Sequence, residues 1–83
     1  LIKTDAQIYY GRGLIYQMKK MNDRAYEDFS SAVRYDPNNG NYWAAKAQSA
    51  QTLGKTEEAR SDLQRAIRLG GKPDPALMRE LGL

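Results

Sequence analysis

The sequence contains no cysteine and no histidine. Without a thiol there is no disulfide staple, no thiolate metal site and no cysteine nucleophile. Without an imidazole, the usual general base near neutral pH and the commonest metal ligand are both missing. Long apolar runs are absent too: none approaches the ~20 residues that cross a bilayer. No signal-peptide layout opens the chain, so a soluble protein is predicted. It begins at Leu1 rather than Met, and is read as a fragment or a processed product. Neither sign of charge dominates: 13 Lys and Arg stand against 10 Asp and Glu, a net charge of +3. The basic residues are interleaved with acidic ones, whereas a dedicated nucleic-acid binder clusters them. Spacing marks out no catalytic pair, and no catalytic residue, cofactor or metal site is predicted. The 83 residues lie near the lower limit for a self-sufficient core.

Repetition is what the chain does have. The stretch from Ala6 to Asn39 returns from Gly40 onward at an offset of 34 residues. Tyr9 falls on Trp43, Gly13 on Ala47, Ala25 on Ala59, Asp28 on Asp62, Phe29 on Leu63, Ala32 on Ala66, Val33 on Ile67 and Arg34 on Arg68. Small residues match small and large apolar ones match large. Self-similarity at a fixed period is the mark of stacked units, each burying against its neighbour an apolar face it cannot bury alone.

The first copy reads Tyr9-x-x-Arg12-Gly13-x-x-Tyr16, then Ala25 and Phe29, then Ala32 and Pro37. This pattern resembles the tetratricopeptide repeat. The second reads Trp43-x-x-Lys46-Ala47-x-x-Ala50, then Ala59, Leu63 and Ala66; it lacks the second aromatic, and Gly71 stands where Pro37 did. The resemblance covers residues 6–72. It implies an all-α fold of antiparallel helix-turn-helix units stacked as a short right-handed superhelix, acting without catalysis or cofactor as a module that binds another protein. The chain then divides as one domain or fragment, residues 1–83: repeat 1 over 6–39, repeat 2 over 40–73, and 74–83 as a capping helix or the start of a third repeat. In register Leu77 takes the place of Tyr9 and Trp43, and Leu81 that of Gly13 and Ala47; the large Leu81 argues for a cap. About three repeats are usually needed for stability. Missing neighbours, or self-association through an exposed helix face, are therefore expected.

Along the chain, Leu1 to Lys3 are read as the tail of a preceding element or a frayed end. Thr4 with Gln7 fits a capping box for a first helix reaching about Lys20. Its apolar face gathers Ile8, Tyr9, Leu14, Ile15, Tyr16 and Met18, and Gly13 marks a close approach by its partner. Asn22 caps a second helix to about Tyr35, with Ala25, Phe29, Ala32 and Val33 as one stripe. Asp36-Pro37-Asn38-Asn39-Gly40 ends it. A third helix, about Asn41 to Leu53, ends at a left-handed Gly54. Thr56 caps a fourth, with Glu57 and Glu58 in its first turn and Arg65 and Arg68 near its close, as the macrodipole favours. Gly70-Gly71-Lys72-Pro73 breaks the chain, and Asp74-Pro75 starts a last helix over Ala76 to Leu81. Tyr9, Trp43, Phe29, Leu63, Tyr16, Tyr35 and Leu69 are predicted core residues, which leaves Tyr10, Tyr26 and Tyr42 as exposed rings.

Two constellations are candidate sites. The resemblance implies a concave groove lined by the first helix of each repeat. Helical spacing puts Gln7, Tyr10, Leu14 and Gln17 there from copy one, and Asn41, Ala44, Gln48 and Gln51 from copy two. That surface is neutral and amide-rich, suited to the backbone of a peptide or to a helix of a partner protein. The family's acidic-C-terminus clamp of Lys, Asn and Arg is broken, because Tyr10 and Leu14 occupy its first two places. The second constellation departs from the family pattern: Arg12 and Lys46 stand where a leucine is usual, and Asp28 and Asp62 follow sixteen residues later in each copy. Structural ion pairs Arg12–Asp28 and Lys46–Asp62 are predicted, orienting the helices more than stabilising them. Single-stranded RNA binding, as in the related pentatricopeptide repeats, is the alternative. The 34-residue offset and the Asp36-Pro37-Asn38-Asn39 closure favour a protein ligand. No membrane association is predicted.

Overall fold

The computed structural model describes residues 2–83, with the side chains described from Thr4 onward. Among them five helices follow in order: α1 (Ile2–Met18), α2 (Asn22–Tyr35), α3 (Gly40–Thr52), α4 (Thr56–Arg68) and α5 (Pro75–Glu80). Helices α1 and α2 pair, α3 and α4 pair, and α2 lies against α3. The expectation for Leu1 lies outside the described residues.

Each pair closes around one large side chain set among small ones. Phe29 is fully buried between Ala25 and Ala32 of its own helix, and its ring lies against Gly13 of α1. A β-carbon on Gly13 would fall 2.7 Å from Phe29 Cε1 and 3.2 Å from Asp28 Cβ. In the second pair the register partners Ala47 and Leu63 are likewise fully buried. Leu77 and Leu81 of the α5 segment join Ala47, Ala50, Ala59 and Leu63 in one cluster, and Tyr26 reaches it from α2. Ala6, Ala32, Val33 and Tyr42 form a second cluster at the α1–α2–α3 junction.

Several local expectations are corrected. Helix α1 already runs through Thr4 from Ile2, so Thr4 and Gln7 form no capping box. Asn22 and Thr56 are first helical residues; Met21 and Lys55 hold the cap positions, with no side-chain cap bond. The capping side chain before α3 is Asn39, which accepts from Asn41 N at 3.0 Å and Tyr42 N at 3.2 Å. Asp74 caps α5 as expected. Gly54 is left-handed at φ 81°, and its counterpart at the end of α1, Lys20, adopts φ 62° without glycine's freedom.

The predicted apolar face of α1 is not its buried face. Ile8, Ile15 and Met18 are largely exposed, because the helix presents Ala6 and Gly13 to α2, where small size decides. Tyr9, Tyr16 and Trp43 are half-buried rather than core, while Tyr42 is buried. Trp43 keeps its indole at the surface by donating to Pro37 O at 2.7 Å. Tyr35 and Leu69 are exposed; Tyr35 stacks on Tyr9 at a centroid distance of 5.6 Å.

The α4–α5 linker is pressed onto the start of α3. A β-carbon on Gly40 would meet Gly71 N at 2.6 Å, and one on Gly71 would meet Gly40 O at 2.6 Å. Lys72 N donates to Asn41 Oδ1 at 3.1 Å.

Phe29→Ala should cost about 3–5 kcal/mol in urea unfolding followed by helical circular dichroism. Gly13→Ala and Gly71→Ala should also lower the midpoint. Gly11→Ala, whose β-carbon meets nothing within 4 Å, should instead gain up to ~1 kcal/mol. A Gly71→Ala variant as stable as the parent would contradict the backbone contact.

Candidate functional site

Residues of α1, α3 and the α4–α5 linker line a cleft of about 280 Å³. Tyr10, Leu14 and Gln17 project from α1 at spacings of four and three, which places them on one face. Asn41, Ala44, Ala45 and Gln48 face them from α3, and Lys72, Pro73 and Asp74 of the linker complete the wall. Six of the eight groove residues expected from the sequence thus come together. Gln7 is exposed and not part of the wall. Gln51 is turned to α5, donating from Nε2 to Glu80 Oε2 at 3.0 Å, and its Oε1 is buried without a partner.

Sequence reasoning missed the linker. In the sequence Gly70-Gly71 reads as a helix breaker; two adjacent glycines also permit a backbone-on-backbone approach. That approach carries Lys72 to the mouth of the cleft.

Tyr10 forms part of the floor, its ring 4.7 Å from that of Tyr42 and 5.8 Å from that of Phe29. Of the three rings expected in solvent, Tyr42 is therefore buried, Tyr10 half-buried, and Tyr26 half-buried with its hydroxyl donating to Glu58. Successive bases would need a row of free ring faces. The cleft does not offer one.

Behind the cleft, each helix pair carries an acid–base contact. Arg12 donates from Nε and Nη2 to the two carboxylate oxygens of Asp28, both at 2.8 Å. The guanidinium is mostly exposed while Asp28 is buried. It also lies 5.6 Å from the Tyr9 ring centre and 5.8 Å from that of Tyr16. Lys46 is half-buried, and donates to Asp62 Oδ2 at 2.6 Å and to Glu58 Oε2 at 2.8 Å. The rings of Trp43 and Tyr26 cover its ammonium at 5.6 and 5.7 Å. Glu58 was not singled out by spacing, having been read as part of a charged first turn.

The electrostatics follow from these partners. The hydrogen bonds to Asp28 push the Arg12 pKa above its ordinary value. Burial works against the Lys46 ammonium, but the hydrogen bonds to Asp62 and Glu58 outweigh it and its pKa is raised. Hydrogen bonds from Lys46 and Tyr26 hold the Glu58 carboxyl below its usual range. Burial pushes Asp62 up in spite of Lys46. Burial also raises the Tyr26 phenol, helped by its bond to Glu58. Such a network fixes helices, and it presents no group poised at the cleft for proton transfer. Among the described residues no cluster of carboxylates is placed to hold a metal, and no helix is long and apolar enough to cross a membrane.

Comparison with known proteins follows the same division of the chain. Residues 6–39 and residues 40–69 each match a family described as "Tetratricopeptide repeat". Over 67 residues the chain is 33% identical to DnaJ homolog subfamily C member 7 of Mus musculus and 31% identical to its Homo sapiens counterpart. The matched stretch is 81% of this chain and 14% of each relative. The chain therefore spans only a small part of the length of those relatives.

The two carboxylates on Lys46 should respond oppositely to acid. Glu58, depressed in the fold, adds stability above its unfolded pKa of about 4.3, and this is lost as pH falls through the folded value. Asp62, raised in the fold, adds stability below its unfolded pKa of about 3.9, and this is lost as pH rises through the folded value. Between about pH 6 and about pH 3, Glu58→Gln should therefore lose less stability than the parent, and Asp62→Asn more. Urea midpoints at each pH read this directly; parallel curves for all three proteins would refute it.

Proposed function

The chain belongs to the tetratricopeptide repeat family, and from that premise we propose that its α1–α3 cleft holds a segment of a partner protein, extended or as a short helix, without catalysis. One observation carries this. The amides of Gln17 and Gln48 line the cleft and enter no side-chain hydrogen bond within the described residues. Each offers a carbonyl and an amino group to the backbone of a bound segment. Leu14 and Ala44 supply apolar contact between them, and Lys72 adds a positive charge at the mouth.

The ion pairs serve the cleft indirectly. Arg12–Asp28 and Lys46–Asp62 fix how α1 and α3 sit on their partner helices, and so how far apart the cleft walls stand. Their role is orientation, since partly exposed pairs contribute only ~0–1 kcal/mol. Double-mutant cycles on each pair should show coupling, and purely additive effects would remove that role. Self-association is compatible with cleft binding, because α1 turns different faces to the cleft and to solvent.

Selection from an unbiased peptide library supplies the test. Peptides retained by the parent should bind Gln48→Glu and Leu14→Arg at least about tenfold more weakly, a loss near 1.4 kcal/mol, while both variants keep their helical circular dichroism. Ligands indifferent to both substitutions would place binding elsewhere. Displacement of the peptides by single-stranded RNA would favour the nucleic-acid alternative.

A further inference from the structure

The linker between α4 and α5 reaches the cleft by a contact that the first copy cannot make. At the 34-residue offset Gly40 and Gly71 correspond to Ala6 and Pro37, and Asn41 corresponds to Gln7. Both members of the first pair lose their side chains together. A β-carbon on Gly40 would lie 2.6 Å from Gly71 N and 2.8 Å from Ala66 O, and one on Gly71 would lie 2.6 Å from Gly40 C. The contact therefore excludes both the alanine and the proline of copy one. The next residue is changed as well. Asn41 is one methylene shorter than Gln7, and its Oδ1 accepts from Lys72 N at 3.1 Å.

That bond fastens the middle of a short span. Upstream, Gly70 is left-handed at φ 81° and Gly71 N donates to Ala66 O at 2.9 Å, which ties the linker to the end of α4. Downstream, the Asp74 side chain accepts from Ala76 N at 3.2 Å, and Leu77 and Leu81 are buried beyond it. Pro73 has a fixed φ and no N–H. Between Gly71 and Asp74 the only backbone N–H is thus that of Lys72, and Asn41 receives it. Lys72, Pro73 and Asp74 are also the linker residues that wall the cleft.

We propose that Asn41 is a positioning residue for the cleft: its side chain latches the linker against α3 and so sets where Lys72, Pro73 and Asp74 stand around a bound segment. The inference rests on the reading of the cleft as the seat of a partner segment. Asn41 acts through the linker, as an acceptor. A wall fixed in advance spares the complex the cost of ordering it. A span tied only at its two ends would have to be ordered by the ligand.

Two readouts test this, and the first needs no ligand. In the free 83-residue chain, amide hydrogen exchange at Lys72 should quicken about tenfold in Asn41→Ala and stay within about threefold of the parent in Asn41→Asp, which keeps the acceptor. Gln7→Ala, at the same place in copy one, should leave that exchange unchanged. Library peptides that bind the parent and are lost by Leu14→Arg should bind Asn41→Ala about fivefold more weakly, and Asn41→Asp within about twofold of the parent. Unchanged exchange in Asn41→Ala would overturn the latch. Quickened exchange with unchanged peptide affinity would overturn its role in the cleft. An affinity loss that Asn41→Asp fails to restore would do the same, because the amino group of Asn41 would then be what touches the ligand. If exchange behaves as expected yet no selected peptide is sensitive to Leu14→Arg, it is the cleft reading that has failed, and the positioning role falls with it.

Discussion

The contact of the Phe29 ring with the bare backbone of Gly13 sets the distance between α1 and α2, and much of the rest of the structure follows from that distance. A β-carbon at residue 13 would sit inside the van der Waals contact of the ring, so the helices meet as closely as one aromatic thickness allows. At that separation Arg12 reaches Asp28 in two-point geometry. The same approach turns Ala6 inward and leaves Ile8 and Ile15 outward. A glycine within a helix is unfavourable by ~1 kcal/mol against alanine; here the burial of a whole ring offsets it.

The second repeat solves the same problem with different volumes. Alanine replaces the glycine and leucine replaces the ring, so what one helix gains the other gives up, a trade that packed cores tolerate. The base also moves inward. Lys46 lies beneath Trp43 and Tyr26 and needs two carboxylates, where the exposed Arg12 needs one. Because Tyr26 belongs to α2 and Glu58 to α4, their hydrogen bond crosses between repeats. Together with the burial of Tyr42 against Ala32 and Val33, it joins the two units into one body, as nearest-neighbour coupling in a repeat stack requires.

Helix α1 consequently faces three ways at once. One side packs on α2 through its smallest residues, a second walls the cleft with Tyr10, Leu14 and Gln17, and a third carries the Ile8–Met18 stripe. A repeat helix with neighbours on both sides would have the third face covered, as α3 does. The cleft and the apolar stripe are separate surfaces of the same helix.

The repeat period, all five helices to within a few residues, the Ala25–Phe29–Ala32–Val33 stripe and the close approach at Gly13 were all legible in the sequence, because each is a relation between residues of one helix or a fixed offset along the chain. Most of the cleft wall was legible for the same reason: Tyr10, Leu14 and Gln17 share a face by spacing alone. What periodicity cannot carry is which neighbour covers which face. Helix α1 has apolar residues on several sides, so its pattern named no single buried face, and only packing against α2 chose Ala6 and Gly13 over Ile8 and Ile15. The same choice buried Tyr42 and left Trp43 at the rim, where its indole could reach Pro37 O. The path of the linker was likewise a tertiary decision. Two glycines allow the backbone of Gly71 to touch that of Gly40, and that contact, invisible to any pattern within one helix, brings Lys72 to the cleft.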